Sequence, residues 1–294
     1  SLMNFVSETI LLGFKAGAAL TIAMTQLPKL FGVKGGGHGF FESVAVLAGQ
    51  LPDTNPVVLV FGLSALAVLL LGEKFLPGRP VALFVVVLSI LALSLTPLGD
   101  LGFKVVGSLP QGLPEFRLPG LRLRDVDGVI PLAFACLLLA YVESVSAARA
   151  LAQAHGDEID PRQELLGLGA ANLGAALFQA YPVAGGLSQS SVNDKAGART
   201  PLALVFASLT IGLCLLYLTG MLYNLPNVVL AAIVLVAVKG LVNIGELRHV
   251  WRVSRLEFGV SMIAFAGVLL LGILKGVIVA VVVIVMTMMF FLFH

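Results

Sequence analysis

Between Tyr181 and Ala203 the chain reads YPVAGGLSQSSVNDKAGARTPLA, a polar, glycine-punctuated and proline-flanked stretch inside a sequence that is otherwise apolar almost from end to end. Lipid offers no hydrogen bonds to a bare peptide group. Irregular polar backbone at membrane depth therefore persists only where it is buried in protein or lines a cavity. In membrane proteins that move solutes, a broken hydrophobic segment of this kind points to the substrate site. The membrane premise rests on composition: 59% of residues are hydrophobic and 12% charged, with mean hydropathy +1.03, against about 25% charged in soluble domains.

Apolar runs able to cross a bilayer core of about 30 Å recur along the chain. Nine or ten segments can be placed, at 6–27 (closed by Pro28), 57–71, 80–95, 129–151, 163–180, the broken segment 181–198, 201–221, 226–241, 258–274 and 276–293. The predicted fold is an all-α polytopic membrane protein. Residues 272–276 leave room only for a tight turn, so the last two segments read as one hairpin. A long Pro- and Gly-rich loop runs over 96–127. Lys and Arg in short loops set orientation. With Lys74 and Arg79 placed in the cytoplasm, alternation puts Arg149, Arg162, Lys195, Arg199, Arg248, Arg252 and Arg255 on the same side.

The net charge of +2 is scattered among loops and implies no nucleic-acid partner. Cys136 and Cys214 sit in apolar runs without disulfide or metal spacing, and read as buried free thiols. No cofactor motif is present. The chain opens Ser1-Leu2-Met3 and enters a hydrophobic segment at once without a basic start region, so no signal peptide is expected in it. It is expected to be part of a longer protein.

Within the broken segment, Pro182 opposes continuation of the preceding helix. Val183-Ala184-Gly185-Gly186 can run extended, and its glycines permit close backbone approach. Ser188 then reads as the N-cap of a helix through Ser190, Ser191, Val192, Asn193 and Asp194. Its unpaired first-turn amides and the positive end of its dipole make an anion site. Gly186, Leu187, Ser188, Gln189, Ser190 and Ser191 are the substrate-binding candidates. A polar re-entrant loop or a helix-packing hinge is the structural alternative.

The stretch PVAGGLSQSSVNDKAGARTPLA resembles the tenth-segment motif of the SulP sulfate-permease family of anion transporters. Residues 13–32, GFKAGAALTIAMTQLPKLFG, resemble that family's fifth segment, and LAYVESVSAARALA (139–152) with Asn172 resembles its eighth and ninth. The likeness covers nearly the whole chain, in order. It implies a fold of two inverted seven-segment repeats divided into core and gate domains, with substrate between the third and tenth half-helices. This chain would start at the fifth segment, without the third half-helix and without the family's cytoplasmic STAS domain. On that scheme residues 1–128 end the first repeat, 129–225 hold the core-type segments of the second with the half-helix, and 226–294 hold its gate-type segments. Many members have Arg where this chain has Gln189. Without that charge, cation coupling or reliance on backbone dipoles is implied, and symport rather than exchange.

Other residues have competing readings. Glu143 lies in an apolar segment, and an intramembrane carboxylate is a functional candidate by default. The resemblance assigns it cation coupling, by H+ or Na+; an ion pair with Arg149 is the alternative. Ser144 and Ser146 flank it and can line a cavity. Asn172 reads as interhelical glue to the half-helix. Asp194 and Lys195 can pair or neutralise the helix end, and Asp194 can also reach a coupling ion. Lys15 reads as snorkelling and Gln26 as capping its span. His155-Gly156-Asp157-Glu158-Ile159-Asp160 has no metal-ligand spacing and reads as a loop, with Asp160 capping a helix that starts at Pro161. The stretch 246–257 reads as a basic hairpin at the headgroups, anchored by Trp251.

The function expected is secondary-active transport of an inorganic anion, most simply sulfate, across what is expected to be a bacterial inner membrane, by a chain that can assemble as a homodimer. Bicarbonate or dicarboxylate transport, an anion channel, and a half-built, inactive fragment remain open. An intramembrane enzyme would need a Ser with a His or Lys base, or paired carboxylates. The four His lie in loops or at the C-terminus, away from the serines.

Overall fold

The computed structural model describes residues 2–272 except Pro77, Pro119, Leu121 and Arg122, together with Gly276 and Val282. Eleven α-helices follow in order among these residues. They are α1 (Leu2–Phe31), α2 (Phe40–Gln50), α3 (Pro56–Phe75), α4 (Val81–Leu95), α5 (Leu123–His155), α6 (Pro161–Leu177), α7 (Leu187–Lys195), α8 (Leu202–Tyr217), α9 (Asn227–Lys239), α10 (Ile244–Val253) and α11 (Arg255–Leu271). Among the described residues, four stretches are long and apolar enough to cross a membrane: Thr9–Phe31, Pro56–Phe75, Val126–Gln153 and Asn227–Val253. The expected segment 276–293 and its hairpin lie outside the described residues apart from Gly276 and Val282.

The chain divides into two compact units. The first comprises Ser1–Leu109 with Met221–His294, and the second Pro110–Gly220.

In the first unit α1 packs on α11 and α9, and α3 packs on α4 and α9. The core is aliphatic, with Leu30, Val58, Leu69, Val228, Val229 and Ala232 among its buried members. Glycines set how near the backbones come. A Cβ at Gly13 would collide with the Ser261 carbonyl of α11, and one at Gly17 would lie 2.9 Å from the Phe265 carbonyl. The part of the long loop nearest α9 is extended: the Val106 and Gly107 amides donate to the Leu225 and Tyr223 carbonyls at 2.9 and 3.1 Å.

Four details depart from expectation here. Pro28 does not end α1. The helix continues to Phe31, and Gly32 (φ 72°) ends it. The Val33 amide returns to the Pro28 carbonyl and that of Gly32 to Lys29, a left-handed glycine stop. Gln26 caps nothing: its amide donates to Thr25 Oγ1 (2.7 Å) and its Oε1 accepts from Lys29 Nζ (3.0 Å). Helix α2 was invisible to a search for membrane-length runs, being eleven residues long. The basic hairpin at 246–257 is a short amphipathic helix, α10, followed by the first turn of α11. Trp251 stacks edge-on against Phe258, with the Arg255 guanidinium over its ring.

In the second unit α5 packs against α6 and α7. Asp160 caps α6 as its sequence position suggests, accepting from the Arg162 amide at 2.9 Å with Pro161 as first helical residue. His155 is the last residue of α5, not part of a loop. Cys136 is half-buried but Cys214 is exposed on α8, and both are free thiols.

Candidate functional site

The break between α6 and α7 is built without help from Pro182. Helix α6 stops at Leu177, five residues earlier, because Gln179 adopts a left-handed conformation (φ 54°). The Gln179 amide donates to the Ala176 carbonyl (3.1 Å) and that of Ala180 to Ala175 (2.9 Å). This is the glycine-type helix stop made by a residue that carries a Cβ, a conformation that costs roughly 1–2 kcal/mol.

From there the chain runs extended to Gly186, held at two points. The Asn172 side chain of α6 acts as a miniature strand partner. Its Oδ1 accepts from the Val183 amide and its Nδ2 donates to the Val183 carbonyl, each at 2.9 Å, while Nδ2 also donates to Leu168. Two residues on, the Gly185 amide donates to Ser144 Oγ of α5 at 2.8 Å. Ser144 is buried, and a Cβ on Gly185 would sit 3.2 Å from that hydroxyl. Gly185 is therefore there for close approach.

Helix α7 begins two residues before the expected Ser188 cap. Gly186 is the N-cap, in extended conformation (φ −109°, ψ 133°), and Ser188 occupies the second helical position. Serine was the better capping residue by propensity, but the bond from Gly185 to Ser144 fixes the entry, and the strip turns at once into helix. The first helical bond runs from the Ser190 amide to the Gly186 carbonyl, 3.0 Å. The amides of Leu187, Ser188 and Gln189 precede it and so have no helical acceptor. The Gln189 side-chain amide folds back over Gly186 and would collide with a Cβ there. Ser190 and Ser191 are half-buried in the same turn.

The far end of α7 is closed by Gly197 (φ 90°), whose amide returns to the Asp194 carbonyl at 2.9 Å. The expected pairing of Asp194 with Lys195 falls on a side chain outside the described residues, and the Asp194 carboxylate meets His155 at 2.8 Å. The pair is substantially exposed, and such pairs contribute about 0–1 kcal/mol. Its effect is to tie the end of α7 to the end of α5.

A cavity of about 570 Å³ lies against this assembly. It is lined by Ser144 and Ala148 of α5, Gln163, Glu164 and Gly167 of α6, the strip Val183–Gly185, and Ser190, among others. Ser144, Gly185 and Ser190 therefore meet at one wall. Glu143, half-buried on α5, precedes Ser144 and is not among the lining residues. Sequence reasoning missed Gln163 and Glu164. Their position in the first turn of α6, just after the Asp160 cap, marked them only as helix-start residues. Among the described residues no cluster of His, Cys, Asp and Glu could hold a metal ion.

A profile described as the "Sulfate permease family" matches residues 1–264. The chain is 29% identical over 280 residues to a probable sulfate transporter of Mycobacterium tuberculosis (strain CDC 1551 / Oshkosh), covering 95% of this chain and 50% of that one. It is 32% identical to the chloroplastic sulfate transporter 4.1 of Arabidopsis thaliana, covering 95% of this chain and 42% of the other. The chain thus spans about half the length of the curated relatives it matches. Among solved structures it superimposes on the murine Solute Carrier 26 family member A9 anion transporter with TM-score 0.86 and 26% identity, over 96% of this chain and 48% of that one. It superimposes on the transmembrane domain of a cyanobacterial bicarbonate transporter, BicA, with TM-score 0.77 and 22% identity, over 96% and 71% of the two chains. The latter likeness is one of fold. With its described regular elements helical and residues 1–264 matched by one profile, this chain belongs to the sulfate permease family.

Proposed function

We propose that the chain is part of a multi-pass membrane transporter that carries a small inorganic oxyanion, sulfate in the first place, together with a coupling H+ or Na+. The observation that carries this reading is the start of α7. Three consecutive amides without helical acceptors, on Leu187, Ser188 and Gln189, follow a clamped extended strip, with Ser190 of the same turn on the wall of a cavity. Helix N-termini bind anions through such amides and through the helix dipole. The hydroxyls of Ser190 and Ser191 supply further donors, while the side chain of Ser188 lies outside the described residues. Gln189 offers an amide where a cation would be the simpler choice, which favours recognition by dipoles. The names of the curated relatives support sulfate over other oxyanions. Glu143, with Ser144 beside it, is assigned the coupling role, and Asn172 and Asp194 the positioning of α7. A bacterial inner membrane and a homodimer complete the reading.

The test is hydrogen exchange on the millisecond scale, with the purified chain in nanodiscs. Sulfate should slow exchange at residues 187–189 more than equal ionic strength of isethionate, and Ser190→Trp should abolish the effect. Uptake of labelled sulfate into proteoliposomes, driven by a proton or a sodium gradient and competed by bicarbonate, then separates the coupling ions and the anions. Exchange at 187–189 indifferent to sulfate would overturn the assigned site.

A further inference from the structure

A second cavity, of about 190 Å³, lies wholly inside the first unit. Three lysines line it: Lys29 in the last turn of α1, Lys34 just beyond the Gly32 stop, and Lys104 in the extended part of the long loop. Its remaining lining residues are Gly32, Val33, Val58, Gly102, Phe103, Asn227 and Val228, with no carboxylate among them. A salt bridge of this unit joins Lys239 to Glu73, away from this recess.

The local structure gathers the positive charge. Gln26, itself buried, holds the Lys29 ammonium at 3.0 Å and fixes where it sits. The Asn227 amide donates to the Lys104 carbonyl at 2.8 Å, tying the loop that carries this lysine to the start of α9. Asn227 and Val228 are the first two residues of α9, and Val58 lies in the first turn of α3. The starts of α3 and α9 reach the same recess, with their first amides already engaged: Val57 and Val58 donate to Asn55 Oδ1, and Asn227 to the Lys104 carbonyl. In the orientation that places Lys74 and Arg79 in the cytoplasm, this is the outer end of the unit, the side on which Lys and Arg are disfavoured. Lys29, Lys34 and Lys104 are all exposed, and among the described lining residues no carboxylate accompanies them, so a dianion in the recess meets three cations.

We propose that this cavity is a second anion site, separate from α7, that takes a small multivalent oxyanion. That its ligand is the transported anion rests on the reading of the chain as a sulfate-class transporter; the site itself rests on the lysines. A basic, partly enclosed recess raises the local concentration of anions by its field, so it would gather substrate at the outer face.

The experiment is competitive lysine acylation read by mass spectrometry, on the chain in nanodiscs, with sulfate against isethionate at constant ionic strength. Near half-saturation, sulfate should slow acylation of Lys29, Lys34 and Lys104 about two-fold, since half of the sites are then occupied, and leave Lys74 and Lys239 unchanged. Lys34→Gln, at an exposed residue, should reduce the protection of Lys29 and Lys104. Ser190→Trp should leave all three protected. Equal slowing at every lysine, slowing at none of the three, or loss of protection in Ser190→Trp would each overturn the proposal. Sulfate-dependent exchange at residues 187–189, measured in Lys34→Gln, reports the α7 site independently, so one site can fail while the other stands.

Discussion

The bond from the Gly185 amide to Ser144 Oγ decides where α7 begins, and its removal has a calculable effect. Ser144→Ala keeps the helix α5 backbone and deletes one acceptor. The donor left behind is a half-buried amide 2.8 Å from the lost oxygen, with the serine side nearly closed to solvent. Leaving such a group unpaired costs about 1–3 kcal/mol. If that cost falls on the local opening of the strip, the exchange rate at Gly185 rises by about 5- to 150-fold. Ser146→Ala, two residues along the same helix at a hydroxyl with no hydrogen bond among the described residues, serves as control. Amide exchange of residues 181–195 measures both. The expected pattern is a rise centred on Gly185 that spreads to the first turn of α7 and spares α6, where Asn172 still holds Val183. A uniform rise across the second unit would mean that Ser144 supports global stability. No rise at Gly185 would refute the claim that this hydroxyl positions the strip.

Two further changes test the helix stops and the close packing. Gln179→Gly should raise the thermal stability of the chain by up to about 1 kcal/mol, because glycine enters the left-handed region without the Cβ penalty; a fall in the melting temperature would contradict this. Gly13→Ala should destabilise by about 1–3 kcal/mol, the usual cost of forcing extra atoms into a packed seam, since the new methyl meets a backbone carbonyl that cannot rotate away. A neutral Gly13→Ala in detergent melting curves would show that α1 and α11 are not so closely seated.

What the sequence revealed and what it hid divide along physical lines. Hydropathy located α3, α4, α6, α8, α9 and α11 to within a few residues, because burial in lipid is an additive property of a run. The interruption before α7 was legible because glycine, proline and serine cannot continue an apolar helix there. Helix ends were less so. Pro28 and Pro182 looked like terminators, but Gly32 and Gln179 end the helices, and the second of these carries no compositional signal at all. Gly185 and Ser144 are 41 positions apart, and only the packing of α5 beside the strip brings them together. Asp194 and His155, 39 positions apart, meet for the same reason. Short elements such as α2 escaped because a search for membrane-length runs discards anything of three turns.

The charge inside the cavity beside α7 leads to a last prediction. Among the described residues its lining contains no Lys or Arg, and its one ionisable group is Glu164. An anion that binds there through neutral amides and hydroxyls meets a carboxylate of its own sign. Glu164 is exposed, so water screens it, and a dianion on the order of 10 Å away is opposed by roughly 0.8 kcal/mol at low salt. Glu164→Gln should therefore tighten sulfate binding at residues 187–189 by about four-fold at low ionic strength. The gain should shrink towards unity near 0.15 M salt, where the Debye length is about 8 Å. Sulfate titrations by millisecond exchange at two ionic strengths measure this. A gain that does not depend on salt would point to a change of shape, and no gain at low salt would show that Glu164 lies too far from the anion to matter. With the predicted dependence, the proposed cation becomes intelligible on the same footing. A cation held near the Glu164 carboxylate would lower the opposing field as the anion enters, so that each ion would favour the binding of the other.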